Sequence, residues 1–123
     1  GKRNPPYSTS SGKVLLAFAK PEIVDQVIEN GLNPYTKNTI TDPNKLREHL
    51  AEIKNNKYAF SIEEYSLGVN SVAAPIYDYR GKVIAALTVV GPKQRIQPYK
   101  LQIYSKKVID ASLEISNRMG YWK

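Results

Sequence analysis

Two short runs of apolar residues near the middle of the chain predict a β-hairpin. Residues 71–77 and 83–90 are rich in Val, Ile, Ala and Tyr, and between them lies the polar segment Asp78, Tyr79, Arg80 and Gly81. Apolar runs of this length on either side of a glycine-containing polar turn are typical of two paired strands. The second run is apolar at almost every position, as expected when both faces of a sheet are covered. We therefore predict that the hairpin lies in the middle of a sheet, with helices or a ligand packed against it.

Apolar residues at intervals of three and four predict three helices before the hairpin. The first begins near Ser10 and ends before Pro21, the second occupies residues 22–29, and the third follows Asp42. We expect Asp42 to be the N-cap of the third helix and Pro43 its first residue. An Asp side chain accepts hydrogen bonds from the free N–H groups of a first turn, and Pro has no N–H to leave unpaired.

A short strand and a long C-terminal helix complete the pattern. We predict a strand at residues 58–62 and a helix of more than 20 residues that starts near Pro98. Its predicted apolar stripe contains Leu101, Tyr104, Val108, Ala111, Ile115 and Met119. Such a helix should lie along one face of the sheet or form an oligomer contact. The order α-α-α-β-β-β-α, with antiparallel pairing in the hairpin, indicates an α+β fold and not a doubly wound α/β fold.

The composition is that of a single-domain globular protein. The chain has 123 residues, enough to bury a core without metal ions, and it has no Cys, which excludes a disulfide framework and a thiolate metal site. No apolar run approaches the roughly 20 residues needed to cross a bilayer, so we expect a cytoplasmic protein with no membrane partner. The net charge is +7, but the cations fall in pairs such as Lys2/Arg3 and Lys106/Lys107, which favours a solvated basic surface over a nucleic-acid site.

Catalytic chemistry has little support in the sequence. His49 is the only His, with no Cys and no second His to share a metal ion, so we interpret it as a surface or boundary residue. Glu63 and Glu64 are adjacent, and adjacent residues on a strand point to opposite faces. We expect one of them to point outwards and the other to be tied into the turn at residues 67–68. We predict no catalytic residue, no metal ion and no cofactor.

Small hydroxyl side chains on apolar strands indicate a binding site of another kind. Ser61, Ser71 and Thr88 lie on or beside the predicted strands. An apolar surface with a few convergent hydroxyls is typical of a small-molecule site. The alternative is that each hydroxyl bonds its own backbone, as Ser and Thr commonly do. The residues alone leave both interpretations open.

Five separated segments carry a family pattern. They are residues 5–19 (PPYSTSSGKVLLAFA), 31–50 (GLNPYTKNTITDPNKLREHL), 58–75 (YAFSIEEYSLGVNSVAAP), 78–95 (DYRGKVIAALTVVGPKQR) and 115–121 (ISNRMGY). In this order they resemble the C-terminal effector-binding domain of the IclR family of bacterial and archaeal transcriptional regulators. The resemblance implies a GAF-like fold over residues 1–123, a curved antiparallel sheet flanked by helices whose cup holds a small effector. It also implies that a winged helix-turn-helix, a linker helix and the opening strands of the effector domain precede the first residue.

The resemblance further implies which residues line the cup. They are Ser10, Ser11, Ser61, Ser71, Thr88 and Val90. Members that bind small carboxylates tend to have Asp in place of Ser61, Cys in place of Ser71 and Ser in place of Val90, and Tyr7 replaces a usual His. A cup that lacks this carboxylate and thiol should favour a different ligand, larger or less acidic, because specificity depends on which buried polar groups would be left unpaired.

These observations lead to one main hypothesis and three alternatives. The main hypothesis is a ligand-sensing regulatory domain, in which effector binding shifts a dimer or tetramer between two arrangements and so changes operator affinity through the winged helix-turn-helix. The first alternative is a free-standing GAF-like binding module or oligomerisation domain without DNA output. The second is a basic domain that binds nucleic acid by itself, with a steep salt dependence. The third is an enzyme, for which His49 would be the only base at neutral pH.

Overall fold

The computed structural model describes residues 5–122, and its elements follow the predicted order. They are α1 (Ser10–Ala17), α2 (Pro21–Glu29), α3 (Pro43–Asn56), β1 (Ala59–Ile62), β2 (Val69–Tyr77), β3 (Val83–Pro92), a short 3-10 helix (Pro98–Lys100) and α4 (Leu101–Arg118). The Lys2/Arg3 pair lies outside the described residues. Within them, no helix has the length and apolar character needed to cross a bilayer. The predicted α+β class is confirmed.

The three strands form one antiparallel sheet with β2 at its centre. The predicted hairpin is present as β2 and β3, each two residues longer than expected. The prediction that the whole hairpin lies mid-sheet is wrong for β3, which forms an edge of the sheet among the described residues. Its apolar side chains are therefore only partly covered, and Val89 and Val90 are 40% and 62% exposed.

Helices pack against both faces of the sheet and divide the core in two. On one face, α1 and α3 bury Val14, Leu46 and Leu50 against Ala59 and Ala73 of the strands. On the opposite face, α4 packs on β2, where Leu101 and Val108 contact a cluster that includes Val72 and Ala74. The alternation of side chains along a strand explains this division, because neighbouring residues of β2 point to different helices.

The helix α3 begins as the sequence predicted, with an Asp N-cap followed by Pro. Asp42 is the N-cap, and its Oδ1 accepts hydrogen bonds from the backbone N–H groups of Asn44 and Lys45 at 2.8 and 3.4 Å. Pro43 is the first helical residue. These contacts fix the start of the helix that supports α1 from the side away from the sheet.

The buried face of α4 differs from the predicted stripe. It consists of Leu101, Ser105, Val108, Ser112 and Ser116. Leu101 and Val108 were predicted correctly, but Ala111, Ile115 and Met119 are exposed. Serine is small enough for the helix to approach the sheet closely, and its hydroxyl can bond within the helix. The hydroxyl of Ser116 donates to the Ser112 carbonyl at 2.7 Å and accepts from the Tyr77 N–H at 2.9 Å, which ties α4 to the end of β2.

Candidate functional site

A cavity of about 240 Å³ lies between the first turn of α1 and the sheet. Its lining includes every residue that the resemblance assigned to the cup, namely Ser10, Ser11, Ser61, Ser71, Thr88 and Val90. Five further residues, which neither the sequence pattern nor the resemblance predicts as site residues, complete the lining: Ser8, Thr9, Tyr65, Ser66 and Val69. The structure therefore brings the six predicted residues together around one cavity. Their role in binding an effector stays a prediction.

The strand register places four of these residues side by side. Ser61 of β1 is paired with Ser71 of β2, and Ser71 is paired with Val90 of β3. Thr88 is paired with Ala73, two residues further along β2. Residues in register and residues two apart point to the same face of a sheet. The four side chains therefore face α1 together and form the floor of the cavity.

The first turn of α1 forms the opposite wall. Thr9 is the N-cap, and its Oγ1 accepts a hydrogen bond from the Gly12 N–H at 3.2 Å. Ser10 and Ser11 are the first two helical residues, whose N–H groups an α-helix does not pair internally. The hydroxyls of Ser10 and Ser71 are 2.6 Å apart, so a hydrogen bond joins this turn to the floor.

For two of the three strand hydroxyls, the structure shows whether the hydroxyl bonds its own backbone. The hydroxyl of Ser61 donates to the Ser8 carbonyl at 3.0 Å, and that of Ser71 bonds Ser10. Neither hydroxyl bonds its own strand. Both instead connect the floor to the segment that leads into α1, and both residues also line the cavity.

A buried lysine lies one turn beyond this wall on α1. Lys13 is 0% exposed, and its Nζ is 2.9 Å from each carboxylate oxygen of Glu64. The same Nζ donates to the Phe60 carbonyl and lies 3.0 Å from Nε2 of His49. An ammonium group has three N–H donors, and these three partners account for them. Burial lowers the pKa of Lys13 and raises the pKa of Glu64, and the charge of each group opposes the shift of the other.

The prediction for the two adjacent glutamates is confirmed for one of them and wrong for the other. Glu63 is tied into the turn, because its Oε1 accepts from the Gly68 N–H at 2.8 Å. The expectation that the other glutamate points outwards is wrong, since Glu64 is buried against Lys13. Glu63 has a φ of 51°, so the chain leaves the strand geometry there and turns the Glu64 side chain inwards.

Comparison with known proteins assigns the fold and the family. Residues 1–117 match the family model described as the bacterial transcriptional regulator IclR C-terminal domain. The chain belongs to the IclR family. It is 37% identical over 121 residues to the HTH-type transcriptional regulator BhcR of Paracoccus denitrificans and 37% identical over 122 residues to KdgR of Escherichia coli. The matches cover 98% of this chain but only 43% and 46% of these relatives, so the chain spans less than half of their length.

Solved structures of IclR-type domains share the architecture. The C-terminal domain of E. coli KdgR has a TM-score of 0.85 at 37% identity, over 98% of this chain and 74% of that one. A double mutant of the inducer-binding domain of PobR from Acinetobacter, in complex with 3-hydroxybenzoic acid, has a TM-score of 0.84 at 34% identity, over 98% of this chain and 67% of that one. The GAF-like fold is confirmed. The prediction that the domain is not an enzyme is also confirmed, because the relatives are transcriptional regulators.

Aromatic residues support one side of the cavity in this IclR-type domain. Tyr65 lines the cavity and contacts Tyr35 edge to face, with ring centroids 5.1 Å apart. The ring centroid of Tyr35 in turn lies 6.2 Å from that of Tyr7. The Tyr7 hydroxyl accepts from the Asn33 N–H at 2.7 Å. Tyr7 therefore supports Tyr65 indirectly, through Tyr35, and its hydroxyl is occupied by a backbone N–H group.

In this IclR-type domain, His49 is half-buried at the boundary between core and surface, as the sequence indicated. It accepts a hydrogen bond from Lys13. Burial, followed by the charge of Lys13, lowers the pKa of His49 from 6.5 to about 4. The folded protein therefore binds a proton at His49 less readily than the unfolded chain does. The contribution of His49 should then lower the free energy of unfolding as the pH falls from about 6.5 towards 4.

The variant His49→Gln isolates this effect, because Gln offers an accepting oxygen and does not titrate in this range. Between pH 7.5 and pH 4.5, the free energy of unfolding of wild type should fall by about 1–2 kcal/mol more than that of the variant. This figure allows for the solvent-exposed part of the ring. Urea unfolding at the two pH values measures the difference, and the other titrating groups cancel in it. Parallel stability curves for the two proteins would contradict the prediction.

Proposed function

We propose that this domain is the sensor of an IclR-type transcriptional regulator and that a small organic effector binds in the cavity between α1 and the sheet. The observation that carries the proposal is the convergence of the six cup residues on one cavity. The inducer-binding domain of PobR, which has the same architecture, is described in complex with a hydroxylated aromatic acid, and this supports an effector of similar size.

The lining of the cavity supports a proposal for the chemistry of the effector. No charged side chain is among the described residues that line it. Hydroxyls of Ser10, Ser11 and Thr88 can donate to and accept from polar atoms, while Val69 and Val90 provide an apolar side. The volume of about 240 Å³ is below the roughly 300–1,000 Å³ of sites for drug-sized molecules. The proposed effector is therefore a small molecule with a few hydroxyl or carboxyl oxygens and one apolar flank.

Effector binding is proposed to act on DNA through oligomer arrangement. The regulator would be a cytoplasmic homodimer or homotetramer, with the operator bound by a helix-turn-helix segment elsewhere in the full-length protein. Effector and operator affect one another only if the effector binds the two arrangements with different affinity, a coupling typically worth about 1–3 kcal/mol. The cavity suits this role because its walls belong to different elements, α1 and the sheet, whose separation an effector can change.

Thermal unfolding with added ligands tests the proposal. The probes are 3-hydroxybenzoate and a panel of small organic acids, aromatics and sugars. A probe at 100 times its dissociation constant adds about 2.7 kcal/mol to the free energy of unfolding. This corresponds to a rise of about 10 °C in Tm for a domain of this size. The variant Ser71→Leu should abolish the rise, because the larger side chain fills the cavity beside Ser10.

The variant Ser71→Ala is the matched control. It removes the hydroxyl but keeps the space, so it should weaken the ligand response without abolishing it. A panel with no stabilising member would contradict the proposal, and so would a response that Ser71→Leu leaves unchanged.

A further inference from the structure

The two polar walls of the cavity come from two separate segments of the chain. Residues 8–11 precede and begin α1, and residues 61–66 include the end of β1 and the turn after it. Lys13 lies two residues after the first segment, and Glu64 lies inside the second. We propose that the Lys13–Glu64 ion pair is a positioning element of the effector cavity, which sets the separation of the two segments and so the affinity for the effector. This inference rests on the function proposed above.

The contacts of Lys13 are directional in a way that apolar packing is not. Its Nζ reaches both oxygens of Glu64 at 2.9 Å and also bonds the carbonyl of Phe60, the residue before Ser61. One ammonium group thus links α1 to the strand and to the turn at the same time. Together with the Ser10–Ser71 and Ser61–Ser8 hydrogen bonds, these contacts fix the rotation and height of the first turn of α1 above the sheet, whereas hydrophobic contact alone is non-directional.

Glu64 is itself held from the opposite side. Its backbone carbonyl accepts from the hydroxyl of Thr39, and the Glu63 carbonyl accepts from the hydroxyl of Thr36. These bonds anchor the turn to the loop before α3. Glu64 is therefore a fixed point, and Lys13 sets the position of α1 relative to it.

Stability alone does not explain why a charged pair occupies this place. Desolvation of two buried charges offsets most of their attraction, and well-packed apolar residues in the same volume are often no less stabilising. The pair lies directly behind the cavity wall, where a binding site must hold its groups to within about 0.5 Å. A positioning role accounts for both the location and the chemistry.

The test compares wild type with the double variant Lys13→Met/Glu64→Met. The matched control is Arg47→Met/Asp25→Met, which removes an ion pair of the same 2.9 Å length whose side chains are exposed on α3 and α2. Amide hydrogen exchange is measured for those N–H groups of residues 8–12 and 61–66 that donate hydrogen bonds, among them Ser8, Gly12 and Glu63, with α4 as an internal reference. The dissociation constant for 3-hydroxybenzoate, or for the panel member that stabilises wild type, is measured in parallel.

We expect the double variant to fold and to keep the exchange rates of α4. Exchange in residues 8–12 and 61–66 should become at least tenfold faster, and the dissociation constant should rise at least tenfold, while the control pair changes neither. A folded double variant with wild-type exchange in both segments would overturn the proposal. If no probe binds wild type, the proposed function fails for these probes, but the exchange rates still decide the positioning role.

The variant Glu64→Asp keeps the test decisive if the double variant does not fold. It preserves the charge but shortens the side chain by one methylene, so it should draw α1 towards the turn. The relative affinities for benzoate and 3-hydroxybenzoate should then change at least threefold, or exchange in residues 8–12 should change if neither binds. A pair that only neutralises charge would leave both measurements unchanged, and this result would overturn the proposal.

Discussion

The variant Lys13→Met is expected to lower the free energy of unfolding by about 3–5 kcal/mol at pH 8, because it leaves a buried carboxylate without its partner. Lys13 is fully buried, and Glu64 has little access to water with which to replace the lost ammonium group. Methionine fills much of the same volume, so the expected loss reflects charge and hydrogen bonding more than packing. Urea unfolding at pH 8 measures it.

The loss should become smaller at low pH, and this dependence identifies its cause. Burial already raises the pKa of Glu64, and removal of Lys13 takes away the charge that opposes the shift. A carboxyl whose pKa is higher in the folded state gains stability as the pH falls through that pKa. The difference between wild type and Lys13→Met should therefore be smaller at pH 5 than at pH 8.

Lys45→Met is the control, since Lys45 is an exposed lysine on α3. It should change the free energy of unfolding by less than about 0.5 kcal/mol. If the free energy of unfolding of Lys13→Met at pH 8 is within about 1 kcal/mol of the wild-type value, the Lys13–Glu64 pair is solvated or dispensable.

The variant Gly12→Ala should lower the free energy of unfolding by about 2 kcal/mol, although alanine is the better helix former by about 1 kcal/mol. A Cβ at position 12 would lie 2.6 Å from Cα of Pro6, 2.7 Å from Oγ1 of Thr9 and 2.8 Å from the Pro6 carbonyl oxygen. Two of these atoms belong to the backbone, so the turn before α1 must move. Chemical denaturation measures the loss, and ligand binding should weaken with it because Thr9 lines the cavity.

The matched control for this change is Gly91→Ala. There the new Cβ would meet only side-chain atoms of Ile96, at 3.3 Å, and these can move. The expected cost is below about 1 kcal/mol. Equal losses in the two variants would contradict the explanation by backbone contact at Gly12.

The sequence predicted well those features that depend on neighbouring residues. The hairpin at Gly81 and the N-cap at Asp42 each follow from a few adjacent side chains, and both are present. The stripe of α4 was predicted less well, because Ser112 and Ser116 face the sheet. Their burial depends on how closely the helix approaches β2, which the helix sequence alone does not state.

The cavity and the buried Lys13–Glu64 pair depend on residues that are distant in the sequence, and the residues alone did not predict them. The strand pattern predicts the hydroxyls of Ser61 and Ser71 on the sheet, but only the family resemblance assigns them to one cup. Lys13 and Glu64 were not connected at all, because they are 51 residues apart and lysine is rarely buried. Only the turn at Glu63 brings the carboxylate back towards α1, and a positive φ at a glutamate has no signal in the sequence.

One side of β3 has no neighbouring strand among the described residues. Val83–Pro92 forms a strand of ten residues with no charged side chain, and it ends the sheet among the described residues. Natural edge strands are usually short, charged, bulged or covered, since an unpaired row of N–H and C=O groups is a template for another extended chain. Among the described residues, β3 therefore offers its free side to one further extended segment, which can come from the same full-length protein or from another molecule.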